Sequence, residues 1–167
     1  MRVAILLLAA PLMLAACGAD PSPDEQRISD EEAVATLEAL SQPPAVMIKP
    51  EAIRYPDIER HNLYGAGCAF APKGGGIAAI ALTKADSGYM KVDGAIRQLA
   101  PDLGSDEQPL GTRMIYAGTT LSFALELLDK EGTQSGMETS DFDARLIVRD
   151  TLERVVYQAD GIAQCGV

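Results

Sequence analysis

Between residues 63 and 167, apolar positions come in short runs broken by turns rich in glycine and aspartate, the pattern of a small antiparallel β domain. Two stretches alternate strictly. Leu121, Phe123, Leu125 and Leu127 are separated by Ser122, Ala124 and Glu126; Phe142, Ala144, Leu146 and Val148 alternate with Asp143, Arg145 and Arg149. A period of two predicts strands with one buried face and one wet face.

The other elements follow from turn chemistry. Residues 64–71 form a first strand, with Ala66, Cys68 and Phe70 on one face, and the Pro-Lys-Gly-Gly-Gly stretch at 72–76 is a turn. The unbroken apolar run at 77–82 predicts a central strand covered on both faces. Asp86-Ser87-Gly88 turns the chain again. Residues 89–92 and 95–99 flank Asp93-Gly94, a dipeptide that readily takes the positive φ of a tight hairpin. Further strands are expected at 112–117, 154–158 and 162–165, the last two joined by a hairpin turn at Asp160-Gly161. Polar loops fill 101–111 and 129–141.

Upstream the period changes. Val34, Leu37 and Leu40 recur every third residue with Ala33 beside them, and Ser29 and Glu32 form a capping box, so residues 29–41 are expected to be helical. Pro43-Pro44 ends that helix. The connector to residue 62 reads as irregular, with one short edge strand at 45–48 limited by Pro50. The expected fold class is mainly β (α+β): one N-terminal helix followed by a small antiparallel β sandwich or barrel of about seven strands. The expected organisation is 1–16 signal, 17–28 disordered tether, 29–62 helix and connector, 63–167 β domain.

The start of the chain carries an address. Met1-Arg2 is positively charged, residues 3–14 are apolar apart from Pro11, and small residues lead to Cys17. A run of that length is too short for a membrane span, which needs about 20 residues. Charge, length and small residues fall in the order of an export signal. Leu14-Ala15-Ala16-Cys17 resembles the bacterial lipobox. The resemblance covers only these first residues. It implies that Cys17 is lipidated and becomes the N-terminus after residues 1–16 are removed. It also implies a lipid-anchored protein of the cell envelope, facing the periplasm. Gly18 stands where an aspartate retains enteric lipoproteins at the inner membrane, which tilts the expectation towards the outer membrane.

Charge narrows the partners. Without residues 1–16 the chain loses one cation, Arg2, and holds 13 Lys+Arg against 24 Asp+Glu, a formal −11 with His neutral and the new N-terminus acylated. That balance excludes nucleic acid and a peripheral grip on anionic lipid, because their phosphates are repelled. It permits an envelope protein as partner. The membrane is reached through lipid on Cys17.

With Cys17 lipidated, Cys68 and Cys165 remain, an even pair in an oxidising compartment, and a disulfide between them is expected. A metal centre needs three or four ligands, and the chain has one histidine, so no metal and no cofactor are expected. The other chemical readings are weaker than their ordinary counterparts. A dyad of Cys68 with His61 needs the thiol that the disulfide removes. Lys73-Gly74-Gly75-Gly76 lacks the Ser or Thr and the following helix of a phosphate-binding loop. Asp102, Asp106, Glu107, Asp129, Glu131, Glu138, Asp141 and Asp143 lack the regular spacing of a calcium loop and read as solvated. The aromatics on predicted strands read as core. No catalytic residue is assigned.

The layout is similar to that of membrane-bound inhibitors of C-type lysozyme: a lipoprotein signal, then a small antiparallel β domain with cysteines near both ends. Ser87-Gly88-Tyr89 has the residue types of that family's inserting loop without its spacing, and the family's tryptophan-containing segment is missing. No residue is carried over. The expected function is therefore a non-enzymatic, membrane-anchored envelope lipoprotein with a binding or structural β domain. The alternative implied by the layout is a periplasmic inhibitor of a host or self hydrolase.

Overall fold

The structure is a computed structural model that describes residues 22–41, 43–76 and 78–167. Cys17 and its signal lie outside the described residues. The chain divides into two compact units, the second running from Pro44 to Val167.

In the first unit, α1 spans Pro23–Ser41. It starts earlier than the expected 29–41, so part of the expected 17–28 tether is helical and Ser29 lies inside the helix instead of capping it. The reason is a start signal in Ser22-Pro23-Asp24-Glu25. Proline fits the first helical position, where a missing N–H is no loss, and Asp24 suits the positive end of the helix dipole. The first turn closes with the Gln26 N–H donating to the Ser22 carbonyl at 2.9 Å. Val34 and Leu37 are exposed, and the side chain of Leu40 lies outside the described residues.

The second unit contains α2 (Tyr55–His61) and nine strands: β1 (Gly67–Pro72), β2 (Ala81–Thr83), β3 (Gly88–Val92), β4 (Ala95–Pro101), β5 (Ile115–Ala117), β6 (Leu121–Leu127), β7 (Thr133–Gln134), β8 (Thr139–Asp150) and β9 (Val155–Gly166). All pairings are antiparallel. The strands β1 to β6 follow one another as neighbours, β6 pairs with β8, β8 with β9, and β9 returns to β1. The ring closes as an eight-stranded barrel, with β7 added on β8 as an extra strand. The expected choice between sandwich and barrel is thus resolved as a barrel.

Eight strands leave an interior that side chains just fill. Phe70, Met90, Tyr116, Phe123, Leu125, Leu146 and Val148 fill it and are fully buried. The Tyr116 and Phe123 rings stack with centroids 5.3 Å apart. The buried Tyr116 hydroxyl donates to the Lys84 carbonyl at 2.6 Å and accepts the Arg113 N–H at 2.8 Å. Both strictly alternating stretches are strands, and residues 121–127 coincide with β6.

Four expectations are corrected. First, Asp160-Gly161 is not a hairpin turn. β9 runs through it without a break, and Gly161 pairs with both Pro72 and Ala144. Second, residues 77–82 are not a strand buried on both faces. Only Ala81–Thr83 form β2, with Leu82 half-exposed, and Ile77 lies outside the described residues. The run looked buried because it is rich in alanine, which is also at home on a half-exposed surface. Third, the connector hides α2. Pro56 sits at its start, where proline is tolerated, the Asp57 carboxylate accepts the Arg54 N–H at 3.0 Å, and Asn62 closes the helix in the left-handed region at φ 51°.

Fourth, residues 45–48 form no strand. This segment runs extended into a strap whose backbone N–H groups at Ile48, Glu51 and Ile53 donate to Val156, Lys91 and Ala79. Ala45 and Ile48 pack on the core. The connector therefore belongs with the barrel in one compact unit.

Candidate functional site

Cys68 and Cys165 form a disulfide. They face each other directly in the β1–β9 ladder, with Cα atoms 4.0 Å apart, and both are buried. This pairing occupies the thiol that a dyad with His61 would need. His61 itself is exposed in the last turn of α2. Among the described residues no helix is long and apolar enough to cross a membrane.

Ser87-Gly88-Tyr89 is not an inserting loop. Ser87 is buried, and a Cβ on Gly88 would sit 2.7 Å from the Tyr116 ring and 2.8 Å from Phe123. The glycine is there so that β3 can approach the aromatic core. Lys73 to Gly76 forms the turn after β1, and the Lys73 ammonium pairs with Asp143 at 3.1 Å.

α2 is fastened to β3 by one ion pair. The Lys91 ammonium donates to both Asp57 oxygens at 2.9 and 3.0 Å, and both side chains are largely enclosed. The Arg54 N–H, then Lys91, hold the Asp57 carboxyl below its ordinary value. Arg154 does the same for Asp150, and Arg145 for Asp160. A carboxylate whose native pKa is depressed contributes stability that is present above its unfolded value, about 3.9, and lost as pH falls through the native value. The urea midpoint is therefore expected to fall steadily below about pH 4. Asp57→Asn is expected to lower the midpoint at pH 7 and to flatten its fall in acid. An unchanged acid slope in the variant would show that Asp57 is not part of it.

Several acids of the polar loops already have partners. Asp102 accepts the Gly104 N–H at 2.9 Å, and Asp141 accepts from Ser135 at 2.8 Å and Gln164 at 3.0 Å. Glu131 and Glu138 are exposed. Asp106 and Glu107, in the loop after β4, line one pocket of about 420 Å3 together with Glu126 of β6 and Asp129 just beyond that strand. The pocket lies where the loop after β4 folds against the end of β6. That loop is pinned by the Met114 N–H on the Asp106 carbonyl at 3.0 Å and the Leu125 N–H on the Met114 carbonyl at 2.8 Å. Leu110 takes a left-handed φ of 62°, uncommon for so bulky a residue.

Two residues that line this pocket each bury one oxygen that has no hydrogen-bond partner. Gln108 donates through Nε2 to the Leu125 carbonyl at 2.8 Å, which fixes its amide, while Oε1 is buried without a hydrogen bond. Asp129 Oδ1 is likewise buried and unpartnered. Glu107 is already paired with Arg113 at 3.2 Å. Pro109, Met114 and Leu127 supply apolar wall. Among the described residues no three His, Cys, Asp or Glu side chains are grouped to hold a metal ion, so the pocket offers hydrogen-bond acceptors and charge instead of a coordination shell. Gln108 had no signal in the sequence: it lies in a polar loop, and nothing local marks one of its atoms as buried. No protein-family model matches the chain, and no curated protein and no solved structure matches it.

Proposed function

We propose that this chain is a non-enzymatic protein of the bacterial cell envelope, anchored through lipid on Cys17, whose periplasm-facing barrel binds another envelope protein through its outer surface. The observation that carries the reading is the filled interior. Eight-stranded barrels that carry small ligands keep a cavity inside. Here Phe70, Met90, Tyr116, Phe123, Leu125 and Leu146 fill the equivalent space. Recognition is left to the outside of the barrel and to its loops.

The test has two parts. Intact mass of the membrane-extracted protein is expected to begin at acylated Cys17, and photocrosslinkers on outward positions of the barrel are expected to trap one recurrent envelope protein. An unlipidated product would remove the anchor. Absence of a recurrent adduct from every outward strand would remove the binding role.

Inhibition of a host or self hydrolase is the second reading, favoured by the disulfide-tied antiparallel barrel. Its inserting segment would have to be other than Ser87-Gly88-Tyr89, because Ser87 and Gly88 are committed to the core. Failure to slow lysozyme at micromolar excess would dispose of the lysozyme version.

A further inference from the structure

We propose that the free edge of β4 receives an extended segment of the partner protein, which adds to the sheet as an antiparallel strand and places an acidic side chain opposite Arg97. This rests on the reading of the barrel as a partner-binding surface and names where and how it binds.

β4 is paired on one side along residues 95–99 and on the other only at its end. Residues 95–99 lie opposite β3, whereas β5 reaches only Ala100 and Pro101. β5 then stops, and the chain turns back with the Gly118 N–H donating to the Leu121 carbonyl at 2.9 Å. Which backbone groups this leaves open follows from the hairpin. Asp93 and Gly94 form a two-residue turn, so Val92 and Ala95 are its closing hydrogen-bonded pair. Antiparallel pairs alternate, so Ala95, Arg97 and Leu99 bond to β3, while Ile96 and Gln98 point their N–H and C=O groups away from it. Two observed bonds agree. The Lys91 carbonyl, opposite Ile96, accepts the Glu51 N–H at 2.8 Å on the far side of β3, and the Asp102 N–H donates to the Ile115 carbonyl of β5 at 2.9 Å. Among the described residues the backbone groups of Ile96 and Gln98 that face this gap have no partner.

The protein covers the other edge of this hairpin itself: Glu51 of the strap bridges to Lys91 where β2 has ended. Among the described residues no segment does so for β4. In place of a strand there is a cavity of about 260 Å3 between residues 96–99 and the turn at 118–121. Edge strands are usually blunted by proline, a bulge or charge. Residues 95–99 hold no proline and no break in register, and their one charge is Arg97. Unpaired groups on a regular edge are a template for strand addition, in which the main chain supplies affinity and alternate side chains supply specificity.

The occupant is a different protein. Two copies joined edge to edge about a two-fold axis would use Ile96 and Gln98 of both, and that register sets the two Arg97 residues directly opposite each other, where like charges repel. The formal net charge of −10 repels a second copy further. Arg97 is exposed and in no ion pair among the described residues, so an Asp or Glu facing it on the incoming strand completes a stabilising cross-strand pair.

The experiment is a 15N–1H NMR titration of the full chain, as purified from cells, with N-acetyl-Thr-Val-Glu-Val-Thr amide. Its central glutamate lies opposite Arg97 when the two valines bond to Ile96 and Gln98. The peptide is expected to bind at about millimolar affinity and to shift the amides of Ile96 and Gln98 most. The same peptide methylated on both valine nitrogens cannot donate to the edge and is expected to bind at least about tenfold more weakly. Gln98→Pro, which removes the donor facing the gap and no bond to β3, is expected to weaken the unmethylated peptide by a similar factor, about tenfold. Lysine in place of the glutamate is expected to weaken binding about threefold, and Arg97→Glu to reverse the preference between the two peptides. Absence of a saturable shift at Ile96 and Gln98, equal binding of the methylated peptide, equal binding to Gln98→Pro, or an unreversed preference in Arg97→Glu would each overturn the proposal. So would shifts at these amides on concentrating the protein alone, which would assign the edge to a second copy. Each such failure leaves the crosslinking test intact, because a partner could still be trapped elsewhere on the barrel.

Discussion

Replacing Cys68 and Cys165 together by alanine is expected to lower the stability of the domain by about 4.7 kcal/mol, the chain-entropy value for closing a loop of about 100 residues. The two cysteines are 97 positions apart, so nearly the whole barrel lies inside the covalent loop. Ordinary domains are stable by only about 5–15 kcal/mol, so the change brings the protein close to the threshold of folding. For a domain of this size the melting temperature falls by about 3–5 °C per kcal/mol, which gives a loss of roughly 14–24 °C.

The bridge also has a particular place in the topology. Every other neighbouring pair of strands except β6 and β8 is consecutive in the chain, whereas β1 and β9 come from its two ends. The Cys68–Cys165 bond is the covalent tie across the seam that makes the sheet a barrel. In the double variant the seam is held by the ladder from Gly67↔Gly166 to Pro72↔Gly161 alone, and amide exchange is expected to accelerate there first. Calorimetry and hydrogen exchange on the oxidised and the double-alanine proteins test both points. A loss under about 1 kcal/mol would mean that the unbridged chain keeps β1 and β9 together even when unfolded, so that the bond constrains little.

The same contrast between near and far explains what the sequence discloses. β6 is legible because large apolar and polar residues alternate from Leu121 to Leu127, and one period of local pattern suffices. Asp93-Gly94 and Asp160-Gly161 are the same dipeptide in similar apolar settings. The first is a hairpin with φ 51° and 72°; the second lies in the middle of a strand. What separates them is distant: Arg145, opposite Asp160 in the ladder, binds its carboxylate at 2.7 Å, and Phe70 packs against Gly161. α2 was concealed because seven residues beginning Tyr-Pro-Asp read as a breaker unless Arg54 and Asp57 are known to cap it. Barrel and sandwich share strand spacing and differ in closure, and only the cysteine pair carried any long-range signal of the seam. The candidate pocket was illegible for the same reason. Gln108 and Asp129 lie in different loops, and they line one pocket only in the folded barrel.

Gly161→Ala puts the reading of β9 to the sharpest test. If Asp160-Gly161 were a turn, alanine there would cost about 1 kcal/mol through backbone conformation. In the barrel Gly161 is not among the residues with positive φ, so its backbone suits alanine, and the obstacle is contact. A Cβ at this position would lie 2.2 Å from the Ala71 carbonyl oxygen and 2.7 Å from Cε2 and Cζ of Phe70. The ring can shift; the carbonyl belongs to β1 and cannot move without opening the seam beside Pro72↔Gly161. Overpacking usually costs about 1–3 kcal/mol, and a backbone obstacle places this variant at or above the upper end.

Phe70→Ala alone is expected to cost about 3–5 kcal/mol by leaving a cavity in the filled interior. The double variant separates the two obstacles. Removing the ring gives the new methyl part of its space but leaves the Ala71 oxygen in the way. The pair should therefore cost less than the sum of the singles and more than Phe70→Ala alone, with a coupling of about 0.5–3 kcal/mol. Denaturant unfolding of the four proteins measures it. A near-neutral Gly161→Ala would remove the close approach of β1 and β9, and with it the barrel closure at this end. Strict additivity would assign the whole penalty to the carbonyl and none to the ring.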